Sequence, residues 1–390
     1  MKQPTKLYLI KSLAPWMMEE LITFSEFVNF KIIFFKNIVD FYSKDLEILK
    51  AKGIEYHIKP FVKIPGFKDL LFAFRFIFSN LHLLTKKKSA IWTLHGTFWF
   101  LFIDKKLFQN VQSIHSQFAS QATMVAWYFK HRYNIDYYFT FHAHSIYCKN
   151  KLFPVLLDGC KASFSISEYN INYVEKEYGV KRDKILLARL GLKLPELIEV
   201  KKEFKKPFVL GFMSNLEPKK GIPYLLEAFN ILNSRNPGKF ELWIAGKGEL
   251  MDFIENFIEK HKLQKEIKIL GRIRDQKKVE FYNKIDLFVL PSIVIPNDMD
   301  GIPVVLMEAI GYGKPIISTN VSGIPEICVN DLVGKLVPEK DAQIIVEAVE
   351  ELSTDNQKWQ RLSENALKFA KEEYDLRKNT ELKLRLMNWL

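Results

Sequence analysis

A chain of 390 residues with 48% hydrophobic and 26% charged positions is long enough for two domains of ordinary size and too apolar to stay disordered. Its three cysteines, Cys148, Cys160 and Cys328, show no CxxC spacing, which excludes a zinc knuckle and a disulfide framework and fits a reducing cytosol. The formal net charge is +12, and residues 1–200 hold 28 lysines and arginines against 17 acids, so nearly all of the excess lies in a first half able to face an acidic partner.

The first 16 residues carry Lys2, Lys6 and Lys11 through a short apolar stretch without a small-residue cleavage site. No signal peptide is expected, and a cytoplasmic protein is. Strands are expected at 6–11 and 30–35. The apolar segment 67–84 is interrupted by Lys68, Asp69, Arg75 and His82, which excludes a membrane span. Its Phe-rich part, 72–78, reads as core. The whole segment, followed by Lys86, Lys87 and Lys88, also reads as a peripheral contact with anionic lipid on the inner face of the cell membrane. Further strands are expected at 90–94, 137–141, 163–167 and 185–189, giving a doubly wound first domain.

From residue 208 onward, β-rich runs at 208–214, 241–247, 267–272, 286–292 and 315–320 alternate with amphipathic segments such as 222–233. That alternation predicts βαβ units on a parallel sheet. The polar stretch 194–207, with two prolines and no periodicity, reads as the hinge, and beyond residue 341 the pattern is helical to the end. The expected organisation is therefore α/β, with one domain over 1–197, a second over 205–365, and a helical tail over 366–390 placed to cross back to the first.

Three stretches carry chemistry. Asp300-Gly-Ile-Pro-Val-Val-Leu-Met-Glu308 reads as a loop entering a helix, with Pro303 in its first turn. The amides of Gly301, Ile302, Val304 and Val305 at such a start, with the positive end of the dipole, form a site for phosphate. Glu308, one turn further in, is placed to accept hydrogen bonds from a ribose diol. Ser214-Asn-Leu-Glu-Pro-Lys-Lys220-Gly221 follows a strand and opens a helix; Lys220 can neutralise a diphosphate, and Gly221 lets the backbone approach. Gly246 lies in the turn Ala245-Gly-Lys-Gly-Glu249, at the strand ends where ligands of open α/β sheets collect.

In this order and spacing the three fragments resemble the donor domain of retaining glycosyltransferases of family 4, whose GT-B fold has two facing Rossmann-like domains. The family's Glu-x7-Glu pattern is met by Asp300 and Glu308, and Ser322-Gly-Ile-Pro-Glu326 is similar to its next turn. In the first half, His115-Ser-Gln-Phe-Ala-Ser, Thr140-Phe-His142-Ala-His144 and Ser165-Ile-Ser-Glu-Tyr-Asn170 are similar to the subgroup that builds exopolysaccharides and lipid-linked surface glycans. His142 matches the family's histidine near the donor sugar, with Glu19, His115 and His144 on the acceptor or sugar side. Asn215 stands where the family often has an arginine, leaving Arg272 or a backbone amide to substitute, or a weaker site. Asp300 is one methylene shorter than glutamate, about 1.5 Å of reach, and Ser145 replaces a common aspartate.

The resemblance implies a metal-independent, retaining hexosyltransferase that needs no cofactor. The donor is a sugar nucleotide, with UDP taken first and GDP as its alternative, and the acceptor is a glycan or a polyprenyl diphosphate-linked glycan. Catalytic roles fall to His142, Lys220, Asp300 and Glu308. The pair His142-x-His144 has no Cys or carboxylate cluster to complete a metal shell, and no nucleic-acid module is present. The alternative is a non-catalytic, sugar-nucleotide-binding or partner subunit, in line with Asn215 and Asp300.

Overall fold

The computed structural model describes residues 5–390 apart from Ser12, Lys63, Lys86, residues 196–197 and residues 199–205. Most of the expected hinge, together with Lys2 and Lys86, lies outside the described residues. The chain divides into two units, one taking the residues up to Gly191 together with Leu376–Leu390, the other Leu192–Asp375.

In the first unit β1 (Thr5–Ile10), β2 (Phe30–Phe34), β3 (Glu55–Ile58), β4 (Val111–Gln117), β5 (Asp136–Phe141), β6 (Ala162–Ser165) and β7 (Ile185–Leu187) make a parallel sheet in the order β3-β2-β1-β4-β5-β6-β7. In the second, β8 (Phe208–Met213), β9 (Phe240–Ala245), β10 (Ile267–Gly271), β11 (Leu287–Leu290), β12 (Ile316–Thr319) and β13 (Gly334–Val337) are ordered β10-β9-β8-β11-β12-β13. Both are Rossmann-like doubly wound sheets. Their strand order reverses between β1 and β4 and between β8 and β11, and the crevice outside the carboxyl ends at such a reversal is where α/β sheets bind ligands.

Helices form where apolar residues recur at helical spacing. Ile222–Arg235 has a proline in its first turn and buries Ile222, Leu225, Leu226, Phe229 and Leu232. Ala342–Thr354 and Asn356–Glu373 start where the Asp341 and Asp355 carboxylates accept from the amides of Ile344 and Lys358, which satisfies donors the helices leave open. The final helix, Leu376–Leu386, joins the first unit: Leu384, Met387 and Trp389 enter its core beside Tyr8, Phe24 and Tyr138. The return to the first unit thus begins at Leu376, and Asn356–Glu373 stays with the second.

Two expectations are corrected. The run 90–94 is not a strand but part of the helix Lys87–Phe102. The apolar residues of this helix cover two faces, with Trp92 and Phe100 inside and Ile91, Leu94 and Phe98 outside. The segment 72–78 is only half core: in the helix Phe67–Ser79, Ala73 and Phe76 are buried, while Phe74 and Phe78 are 68% and 69% exposed. Strands β3, β4 and β13 were not expected. β4 is buried yet polar, because Ser113, Ser116 and Gln117 find internal partners.

Trp389 is fully packed and donates from Nε1 to Ser113 Oγ at 2.8 Å. Trp389→Ala is expected to destabilise the first unit by about 3–5 kcal/mol, read as a lowered urea midpoint; a change below about 1 kcal/mol would mean that the C-terminal segment is not part of that core.

Candidate active site

The second unit assembles its site at the carboxyl ends of β8 and β11. After β8 the chain makes a short turn, Pro218–Lys220, and Gly221 then adopts φ +66°. A Cβ there would lie 1.8 Å from the Pro291 carbonyl oxygen, so only glycine lets the turn pass under the loop after β11. The amide of Ile293 donates to the Lys219 carbonyl at 2.8 Å, fixing that loop to the turn. This approach carries Lys220 inward. Its Nζ is 2.7 Å from Asp300 Oδ1, both side chains are buried, and Ser292 Oγ donates to Asp300 Oδ2 at 2.6 Å.

Lys219 makes a second, shallower pair with Asp298 at 2.9 Å. Burial works against its charge, but Asp298, Asp300 and Glu217 together hold its ammonium above the ordinary value. Two cations on one turn are therefore each met by an acid from the loop after β11.

Beside them Asp300 leads through the buried Gly301, Ile302 and Pro303 into the helix Val304–Gly311. Pro303 offers its first turn no side-chain cap, and the leading amides of a helix, here Val304 and Val305, have no carbonyl behind them within it. Glu308, four residues on, is half-buried: Lys278 Nζ reaches Oε1 at 2.8 Å and Tyr282 OH donates to Oε2 at 2.9 Å. Burial, and then Glu308, push the Tyr282 phenol well above its usual range, so it remains a donor.

Gly246 adopts φ +153°, with a Cβ position only 1.9 Å from the Ser214 carbonyl oxygen. Its loop is laced to the one after β8, since Leu216 donates its amide to Lys247 at 3.0 Å. Asn215 extends toward Glu217 at 3.4 Å, and Arg272 is exposed just after β10. The structure therefore gathers Lys220, Gly221 and Asp300–Val305 at one corner, with Asn215 and Gly246 on adjoining loops.

In the first unit His142 follows β5. Its ring is buried, Nε2 is 3.1 Å from Gln117 Oε1, and Trp16 and Phe118 flank it with ring centres 5.2 and 4.8 Å away. Burial, then the nearby Lys383 ammonium, lower its pKa from 6.5 to about 3. His115 departs from its expected role. It lies wholly inside β4 with Nε2 3.0 Å from Thr140 Oγ1, which takes it out of reach of an acceptor, and burial pulls its pKa well below 6.5. His144 is exposed beside Trp92. Glu19 is half-buried; the carboxylate built into the interior belongs to its neighbour. Glu20 binds Lys383 Nζ at 2.6 Å, Tyr8 OH at 2.9 Å and Gln117 Nε2 at 2.9 Å.

Residues 195–369 match the family model of glycosyl transferases group 1. The amylovoran biosynthesis glycosyltransferase AmsK of Erwinia amylovora is 35% identical over 179 residues, 45% of this chain and 43% of that protein, so the chain spans less than half the length of this curated relative. Among solved structures, Anabaena HepE in complex with UDP superposes with a TM-score of 0.73 at 15% identity, covering 99% of this chain and all of that one. Sucrose-phosphate synthase from Thermosynechococcus elongatus gives 0.71 at 15%, covering 99% and 98%. The two Rossmann-like units are thus those of the GT-B fold.

Sequence reasoning missed Glu20, Gln117, Lys383, Ser292, Lys278 and Tyr282. For Glu20 a signal existed: positions 17, 20, 21 and 24 share one face of a helix, so Glu20, not Glu19, lies among Met17, Leu21 and Phe24. Lys383, more than 360 residues from Glu20, had none.

Because His142 and His115 stay neutral in the folded unit, the unfolded chain takes up protons that the native one refuses once pH drops below about 6.5. Stability is therefore full above that pH and falls with acid through the window down to about 3 for His142, by up to about 1.4 kcal/mol per pH unit for each histidine. Melting of wild type against His142→Gln between pH 7 and 5 should show a shallower slope in the variant; identical slopes would contradict a buried neutral imidazole.

Proposed function

We propose that this chain is a retaining, metal-independent glycosyltransferase of the hexosyltransferase type that serves cell-surface polysaccharide biosynthesis in the cytoplasm. It takes a sugar from a nucleoside diphosphate donor, UDP before GDP, and passes it to a glycan or polyprenyl diphosphate-linked acceptor. One observation carries the reading: a buried lysine and an uncapped helix start meet at the strand-order reversal of a parallel sheet. As the bond from the anomeric carbon to the diphosphate breaks, negative charge grows on the leaving phosphate, and stabilising that charge is the main task. Lys220 and the amides at Val304 and Val305 serve it, Asp300 orients the sugar, Glu308 holds the ribose, and His142 hydrogen-bonds the transferred sugar. Lys219 is the cation at hand where Asn215 replaces an arginine. The 35% identity over 179 residues to an amylovoran biosynthesis glycosyltransferase supports the polysaccharide setting.

Lys220→Ala removes a charge-assisted contact worth about 1.5–3 kcal/mol, so it should weaken UDP binding roughly 10- to 150-fold. Transfer from UDP-sugars in EDTA should fall in both Lys220→Ala and Glu308→Ala. Wild-type rates in both variants would defeat the assignment; donor binding without any turnover by the wild type would favour the non-catalytic subunit that Asn215 suggests.

For the acceptor side we propose contact with an anionic bilayer. Phe67, Leu71, Phe74 and Phe78 form an exposed stripe along the helix Phe67–Ser79, with Ile64 before it and Leu81 after it. Lys68, Arg75 and Lys87 are exposed in the same segment. An apolar surface of this extent, fringed with cations, matches an anionic lipid interface. No helix among the described residues is long and apolar enough to cross a membrane. Each inserted Phe contributes about 2 kcal/mol, so Phe74→Ser with Phe78→Ser should cut co-sedimentation with phosphatidylglycerol vesicles by at least about tenfold, and added salt should weaken the wild type. Binding indifferent to both changes would rule the contact out.

A further inference from the structure

The interior of the first unit contains a continuous polar chain that begins on its last helix and ends at His142. Lys383 Nζ lies 2.6 Å from Glu20 Oε1. Glu20 Oε2 accepts from Tyr8 OH and from Gln117 Nε2, each at 2.9 Å, and Gln117 Nε2 also reaches Tyr8 OH at 2.7 Å. Gln117 Oε1 is 3.1 Å from His142 Nε2. All five side chains are buried.

The direction of this chain follows from what each group can do. An ionised carboxylate only accepts hydrogen bonds, and an ammonium only donates. With Lys383 beside it, Glu20 is the fixed acceptor. The edge of the Gln117 carboxamide that faces it must then be the NH2, because the flipped amide would set two oxygens against each other in a dry interior, where an unmatched polar contact is costly. The carbonyl edge of Gln117 is thereby turned to His142, and a carbonyl there asks for a hydrogen on Nε2. Since burial, and then Lys383, keep the ring neutral, one hydrogen is all it carries, and Nδ1 is the bare nitrogen.

We infer that Lys383, Glu20 and Gln117 form a positioning relay that locks His142 in its Nε2–H tautomer and presents Nδ1 as a hydrogen-bond acceptor for a ligand hydroxyl. The ring cannot swivel freely between Trp16 and Phe118. Its backbone is held as well, for the His142 carbonyl accepts the Ser145 amide at 2.8 Å while Ser145 Oγ accepts the Ala119 amide at 3.2 Å. The helix Leu376–Leu386 is then part of the site, because the charge that orders the relay comes from it. An acceptor nitrogen held this way selects a donor such as a sugar hydroxyl and disfavours an anion. The tautomer stands on the first unit alone, whereas its service to a sugar rests on the proposed function.

The test is 15N-resolved NMR of the full chain labelled in histidine, with the His142 signals assigned by their loss in His142→Gln. Wild type is expected to show a protonated Nε2 and an unprotonated Nδ1 from pH 5 to 8. Gln117→Leu, which deletes the acceptor, is expected to give a tautomer mixture, and Glu20→Gln combined with Lys383→Met, which removes both buried charges together, to loosen the preference without titrating the ring. A protonated Nδ1 or a mixture in wild type overturns the relay whether or not any variant folds, and so does an unchanged tautomer in folded Gln117→Leu. If sugar transfer is measurable, Gln117→Leu should lower kcat by about tenfold or more with little change in the KM for the donor, since one hydrogen bond is lost. A protein that transfers no sugar but shows the Nε2–H tautomer sinks the proposed function and leaves the relay standing.

Discussion

A buried ammonium has to be met by negative charge, and the corner of the second unit around Lys220 follows from that requirement. Lys220 is drawn into the interior because Gly221 lets its turn slide beneath Pro291, and at that depth an unpaired cation would cost several kcal/mol. Asp300 meets it from the loop after β11, and Ser292 steadies the far oxygen. The same loop runs on into the helix Val304–Gly311. Thus the ion pair also sets where that helix begins and where its amides point. Lys219 and Asp298 repeat the pairing nearer the surface. On the proposed function, a ligand with two linked phosphates would offer what the two acids supply in its absence, and its binding would exchange one set of anions for another.

The first unit uses a related arrangement for a different end. Lys383 and Glu20 are also a buried pair near a strand-order reversal, but their charges face a carboxamide and an imidazole. Order passes outward from the pair through hydrogen bonds of fixed direction, and what reaches His142 is an orientation. In the proposed reaction the cation of the second unit is the working group, whereas in the first unit burial and then Lys383 keep the His142 imidazole neutral and the relay aims it.

Much of this was legible in the chain. Strands β8 to β11 were visible because each is a short run rich in apolar residues followed by a helix, the rhythm of βαβ units, and β12 because the apolar Ile316-Ile317 follows the glycines that end a helix. The glycines at 221 and 246 marked two close backbone approaches beside the site, and Lys220, Asp300 and Pro303 followed from the turns they sit in. β4 was not visible because its core residues include Ser113, His115, Ser116 and Gln117, a polar run that reads as loop until Trp389, Thr140, Thr123 and Glu20 are seen to pair with them in turn. The run 90–94 misled in the opposite sense, with strand-like residues wrapped around a helix that is apolar inside and out. Lys383 carries no local mark at all, since its role exists only once the end of the chain has returned to the first unit.

The most direct measurement of the central claim is a crystal structure of the protein soaked with UDP. The diphosphate is expected within hydrogen-bonding distance of Lys220 Nζ and the Val304 and Val305 amides, with Asp300 displaced from Lys220 and the ribose beside Glu308. A diphosphate bound elsewhere, with the Lys220–Asp300 pair intact, would contradict it.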